Sequence, residues 1–217
     1  MAYYFFQHLA DGVNLANFFN LLKECNNEKI PDDWNNFTDV CIFSEFELGA
    51  SGFGSPDGAI SFKAGEKSYF IFIEAKFNET YEKSCGKLEV GRKGYNSTIK
   101  GQLELRYRFA HSLISTREFA NGCMIYESPD DYFKKDAFYQ KDKSHFSKRH
   151  LKLINGVFPI AEKIRSCNLE DIYYLAITAE NKNPLKESNL LPHGIDRKKL
   201  LWISSDIIKK AGVAGGV

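Results

Sequence analysis

The chain has 217 residues, of which 43% are hydrophobic, 26% charged and 14% aromatic. That profile argues against a disordered, collagenous or membrane-spanning chain and predicts a single domain over residues 1–217, large enough to bury its own core. Twenty-nine Lys and Arg stand against 28 Asp and Glu, which excludes a uniformly basic protein that coats nucleic acid. The balance is uneven, because residues 1–57 hold two Lys and nine acidic residues and the positive excess lies beyond them. Cys25, Cys41, Cys85, Cys123 and Cys167 are far apart with no C-x-x-C pair, so neither a disulfide framework nor a zinc cluster is expected. The N-terminus lacks a basic n-region, and no apolar run approaches the length of a bilayer span. The expectation is a cytoplasmic protein with no membrane partner.

Taken in chain order, residues 3–25 carry a helical stripe of Phe5, Leu9, Val13, Phe18, Leu21 and Leu22, with Gly12 as its weak point. Residues 26–38 are loop-like. The segment DVCIFSEFELGA fits either a helix or an extended strand, and its periodicity does not separate them. Residues 49–58 read as a Gly- and Ser-containing loop. Residues 59–63 and 68–77 read as two strands joined by a turn at Ala64-Gly65-Glu66. The second, SYFIFIEAKF, is apolar on both faces until its last residues, as a buried central strand should be. After a polar, basic linker, residues 97–115 read as a helix that buries Ile99, Leu103, Ala110 and Leu113. Residues 121–126 suit a short strand, and 153–165 a helix interrupted near Gly156 and Pro159. Residues 172–178 and 200–204 suit two further strands ahead of a short C-terminal helix. This order predicts a mixed α/β domain.

The informative chemistry lies between residues 45 and 76. Side chains alternate along a strand, so Glu74 and Lys76 share a face while Ala75 points to the other, its carbonyl lying along the strand edge. If the two strands pair as a hairpin, the start of the first lies beside the end of the second, and Asp57 lies next to Glu74 and Lys76. Two carboxylates at the end of a buried strand repel, and a divalent cation between them removes the conflict. Hard oxygen ligands without a nearby Cys or His favour magnesium or manganese over zinc. Lys76 then stands where an ammonium can orient an attacking water or offset charge in a transition state. The five histidines show no metal spacing and no nucleophile partner.

Pro56-Asp57, a gap of sixteen residues, and Glu74-Ala75-Lys76 resemble the signature of the PD-(D/E)XK nuclease superfamily, the restriction-endonuclease-like fold. The resemblance covers roughly residues 45–110. It implies an αβββαβ core with a mixed central sheet flanked by helices, and a magnesium- or manganese-dependent endonuclease acting on DNA, with a restriction or defence role. It further implies that Asp57, Glu74 and the carbonyl of Ala75 bind the metal and that Lys76 is the catalytic lysine. An upstream glutamate often joins the ligands; Glu47 qualifies if its segment is extended and Glu45 if it is helical. Gln102, in KGQLELRYRF, falls where many members place an active-site glutamine. Some subfamilies add a tyrosine four residues on, but Arg106 stands there and Tyr107 follows.

Two segments suit contact with nucleic-acid phosphates. Residues 83–108 and 134–152 each hold seven Lys or Arg against two acidic residues, the second interleaved with Phe138, Tyr139 and Phe146. DNA is the expected partner, with RNA left open and a homodimer compatible with the chain. The competing reading is a non-catalytic nucleic-acid-binding or protein-interaction module on a nuclease-like fold.

Overall fold

The computed structural model describes residues 2–44, 56–81, 98–115, 158–186 and 191–213. Among these residues a five-stranded mixed sheet is flanked by helices on both faces. Its strands are β1 (Phe37–Ser44), β2 (Gly58–Ala64), β3 (Lys67–Lys76), β4 (Ile172–Thr178) and β5 (Leu200–Ser204), ordered across the sheet as in the chain. β1, β2 and β3 form an antiparallel meander, whereas β4 runs parallel to β3, and β5 parallel to β4. The helices are α1 (Ala2–Leu9), α2 (Gly12–Asn26), α3 (Ile99–Ser115), α4 (Phe158–Arg165) and α5 (Ser205–Lys210).

Strand alternation divides the core into two halves. Tyr69, Ile71, Ile73 and Ala75 of β3 face one cluster, filled from α1 and α2 by Phe5, Leu9, Phe18 and Leu22. Phe70 and Phe72 face the other, where Ile99, Leu103 and Ala110 of α3 meet Ile160 and Ile164 of α4. β3 is buried on both faces because it is the middle strand and has helices above and below it.

The single helix expected over 3–25 is two. Asp11 breaks it and caps α2, its carboxylate accepting from the Val13 N–H at 3.1 Å. The break re-phases the stripe, so Val13 is 69% exposed and Leu15 is buried in its stead. Residues 39–44 of the ambiguous segment are extended and belong to β1, whose register slips between Thr38 and Cys41, with Asp39 at φ 50°. Within the helix expected over 153–165, residues 158–165 form α4, which includes Pro159. The strand expected over 121–126, the first residues of the 153–165 helix and the basic segment 134–152 lie outside the described residues. No helix among the described residues is long and apolar enough to cross a membrane.

β5 is the last strand of the sheet, and its free edge is covered by side chains. Asn26, the last residue of α2, donates to the Trp202 carbonyl at 2.9 Å and accepts from the Trp202 N–H at 2.9 Å. Its amide also donates to the Leu22 carbonyl at 2.8 Å. This buried side chain thus supplies the pair of bonds that a sixth strand would have made to Trp202, and Lys29 Nζ donates to the Leu200 carbonyl at 2.9 Å.

Candidate active site at the end of the central strand

The β2–β3 ladder runs from Ala64 opposite Lys67 to Gly58 opposite Ile73. Asp57 precedes the last pair and therefore stands beside Glu74. Its carboxylate accepts a hydrogen bond from the Ala75 N–H at 2.7 Å. The N–H and carbonyl of one strand residue leave at the same edge, so the Ala75 carbonyl also faces the Asp57 side, beyond the last β2 pair. The approach of the β2 start is held by α1. A Cβ built on Gly58 would lie 2.1 Å from Phe6 Cζ, so only glycine admits the ring there.

Glu74 is completely buried. Its Oε1 accepts from Arg106 Nε at 2.7 Å, and Arg106 is itself only 1% exposed. Among the described residues its Oε2 is buried with no hydrogen-bond partner, and so is Gln102 Oε1 on α3, one turn before Arg106. Burial pushes the Glu74 carboxyl up to about 7; Arg106 pulls against that rise, the Asp57 charge adds to it, and Lys76 opposes it. Lys76 is half-buried at the end of β3, on the Glu74 face.

The structure therefore brings Asp57, Glu74, Ala75 and Lys76 to one corner, with Arg106 and Gln102 on α3. Glu45 and Glu47 lie outside the described residues. Among the described residues no group of three His, Cys, Asp or Glu forms a metal cage. The donor set nevertheless fits a hard dication. Glu74 Oε2 is an orphaned buried oxygen, one carboxylate oxygen of Asp57 stands beside it in sequence register, and the Ala75 carbonyl shares the Asp57 edge. All three are oxygens, the ligand type magnesium and manganese prefer.

Arg106 is the residue that the sequence reading did not assign. The signal was present, because Ile99, Leu103, Arg106 and Ala110 follow i, i+4, i+7, i+11 spacing, and all four are buried. A charged residue on an apolar stripe demands a buried counter-charge, and the one acid at the end of an apolar strand is Glu74. Glu104, also buried, accepts from the His193 N–H at 2.6 Å and ties the 191–196 loop to α3. Glu180 accepts from the Tyr81 N–H and the Thr178 hydroxyl. Ser205 Oγ donates to the Phe77 carbonyl at 2.8 Å. Together these bonds fasten the turn that follows β3.

Comparison with protein families, with curated proteins and with solved structures finds no match.

Proposed function

We propose that the chain is a magnesium- or manganese-dependent DNA endonuclease of the PD-(D/E)XK type. The observation that carries this reading is the 2.7 Å bond from the Ala75 N–H to the Asp57 carboxylate, which joins Asp57 to the Glu74-Ala75-Lys76 run. The unpaired Glu74 Oε2 supports it, since a buried carboxylate oxygen without a donor is otherwise a net cost. The order of elements adds support: helix, three-stranded meander, helix, then a strand parallel to the third is the sequence of elements in an αβββαβ core.

In this reading Asp57, Glu74 Oε2 and the Ala75 carbonyl hold the cation. When bound, it supplies Lewis-acid stabilisation of charge on a phosphoryl oxygen. The side chains do the rest. The Ala75 N–H fixes the Asp57 carboxylate, and Arg106 fixes that of Glu74, so neither has to be ordered at the moment of reaction. Lys76 presents an ammonium beside them that orients the attacking water and offsets charge on the phosphate. In this reading Gln102 Oε1, a buried acceptor with no hydrogen-bond partner among the described residues, would accept an O–H of that water.

A second reading, a binding module on the same fold, draws on Arg106, because a buried ion pair neutralises Glu74 without any metal. One experiment separates the two: cleavage of supercoiled plasmid and single-stranded circular DNA, with RNA in parallel, under magnesium, manganese or EDTA. Wild type should nick DNA only with the cation, and Asp57→Ala and Lys76→Ala should each lose about 100-fold or more. A folded wild type that cuts nothing and takes up no cation by calorimetry sinks the nuclease reading and leaves the binding module.

A further inference from the structure

A cleft lies on the α4 side of the sheet, at the end of the β2–β3 hairpin away from Glu74. In β2, Ile60, Phe62 and Ala64 belong to the α1–α2 half of the core, so Ser61 and Lys63 point to the α4 side. In β3, Phe70 and Phe72 face that side, and Ser68 faces it with them. The end of α4 stands above these side chains, and the two layers leave a cavity of about 230 Å³. Ser61, Lys63 and Ser68 line it from the sheet, Glu162, Lys163 and Ser166 from the helix end, and Asp39 of β1 from one side. Along β3, the six steps from Ser68 to Glu74 put this cleft roughly 20 Å from the carboxylate corner.

Ser61 is 3% exposed, and among the described residues its Oγ has no hydrogen-bond partner. A buried hydroxyl without a partner is a cost that an alanine at the same place would not carry. The neighbouring groups differ from it in being bonded. Lys63 is paired with Asp39 at 2.8 Å, which stands at φ 50° where the β1 register slips. Ser166 Oγ donates to the Lys163 carbonyl at 2.7 Å. Lys163 Nζ, in contrast, forms no ion pair among the described residues. Its charge is felt across the cleft: the Asp39 carboxyl is held low chiefly by its bond to Lys63, and further by Lys163. Lys163 is half-buried, whereas Glu162 is exposed at the rim, so the charge that faces inward is positive.

A buried hydroxyl and an ammonium, both donors in search of an acceptor, call for an anion. A carboxylate offers two oxygens. A phosphate offers more, enough to meet hydroxyls on two strands and an ammonium on a helix together. The cavity is smaller than the about 300–1,000 Å³ that encloses a drug-sized ligand, so any organic part is small. We propose that this cleft binds a small phosphate-bearing ligand, held by the hydroxyls of Ser61 and Ser68 and the ammonium of Lys163. The site is separate from the carboxylate corner and does not depend on the nuclease reading.

The test titrates inorganic phosphate and glycerol phosphate calorimetrically into the full chain, without divalent cations and at an ionic strength fixed with chloride. Saturable binding with a dissociation constant below about 10 mM is expected for at least one of them. Binding of phosphate alone identifies the free ion, and binding of the ester alone a phosphorylated small molecule. Lys163→Gln and Ser61→Ala should each weaken binding about tenfold or more, while Lys163→Arg should retain it. Ser61→Ala should leave the thermal midpoint of the unliganded protein level or raised, since the hydroxyl it removes has no partner. Lys76→Ala, at the corner, should bind as wild type does.

No saturation by either ligand below about 10 mM overturns the proposal. Acetate binding as tightly as phosphate overturns it too, as does wild-type affinity in Lys163→Gln. If Ser61→Ala fails to fold, the Lys163→Gln and acetate arms still decide. Binding lost in Lys76→Ala and kept in Lys163→Gln would place the anion at the corner. This site would then fall and the nuclease reading would stand.

Discussion

Asn26 and Gln102 are both amides on helices that pack against the sheet, and they differ in what their oxygens meet. Asn26 closes every bond within reach: its oxygen takes the Trp202 N–H, and its nitrogen serves the Leu22 and Trp202 carbonyls at 2.8 and 2.9 Å. Among the described residues Gln102 Oε1 meets no donor, and Glu74 Oε2 beside the same helix meets none either. A buried polar group that is fully paired stabilises and specifies a fold, whereas an unpaired one is a standing cost of about 1–3 kcal/mol. The β5 edge is built for stability, whereas Glu74 Oε2 and Gln102 Oε1 go without a hydrogen-bond partner among the described residues.

The sharpest way to break this comparison is to remove the satisfied amide. Asn26→Leu strands the N–H and carbonyl of Trp202 in a buried place, where nothing else reaches them. At about 1–3 kcal/mol for each of the two orphaned groups, the variant should lose roughly 2–6 kcal/mol of stability in urea denaturation. Any refolded fraction should keep whatever cation-dependent cleavage the wild type shows. A loss below about 1 kcal/mol would mean that the edge of β5 is open to water and that Asn26 is not its cover.

Glu74→Gln tests the other side with a pH profile. The Glu74 carboxyl is raised from 4.5 to about 7, chiefly by burial. A raised acid favours the folded state while it is protonated in both states, so its contribution is complete below pH 4.5 and is lost as pH climbs to about 7. Glutamine keeps an acceptor for Arg106 and does not titrate. The stability of wild type relative to Glu74→Gln should therefore fall steadily across that window and level off above it, as read from urea midpoints at each pH. A flat difference would mean that Glu74 keeps its charge at the ordinary carboxylate pKa, and that its Oε2 is solvated.

Much of this arrangement was legible in the residues. Antiparallel pairing alone puts Asp57 beside Glu74, and the apolar run into Glu74 marks β3 as the central strand. The strands at 172–178 and 200–204 were equally plain, because uninterrupted apolar runs of that length bounded by polar residues have few other uses. What stayed hidden depended on contacts between segments far apart in the chain. Asn26 and Trp202 are 176 positions apart and carry no local signal of each other. Arg106 and Glu74 are 32 apart, and there the signal existed as a charge on an apolar stripe. The position where some members of the resembled family carry a tyrosine is held here by Arg106, and only the folded pair shows its partner to be Glu74. The Asp11 break in the first helix was hidden for a different reason: a cap and a stripe residue compete locally, and the cap won.

The finest test of the comparison is Gln102→Leu, and its expected effect on stability is the smallest. Leucine is close to glutamine in volume and removes an amide oxygen that makes no hydrogen bond, so it deletes a desolvation cost without creating a void. Thermal and urea midpoints should stay level or rise by at most about 1 kcal/mol equivalent. Cation-dependent cleavage should fall in the same protein, because the acceptor offered to the water is gone. Opposite signs on stability and activity are the mark of a group placed for chemistry at the expense of the fold. If Gln102→Leu instead destabilises as much as Asn26→Leu, then its oxygen does have a partner and the two amides are of one kind. The end of β3 would then be a sealed polar core, and the unpaired Glu74 Oε2 alone would have to carry the case for a site.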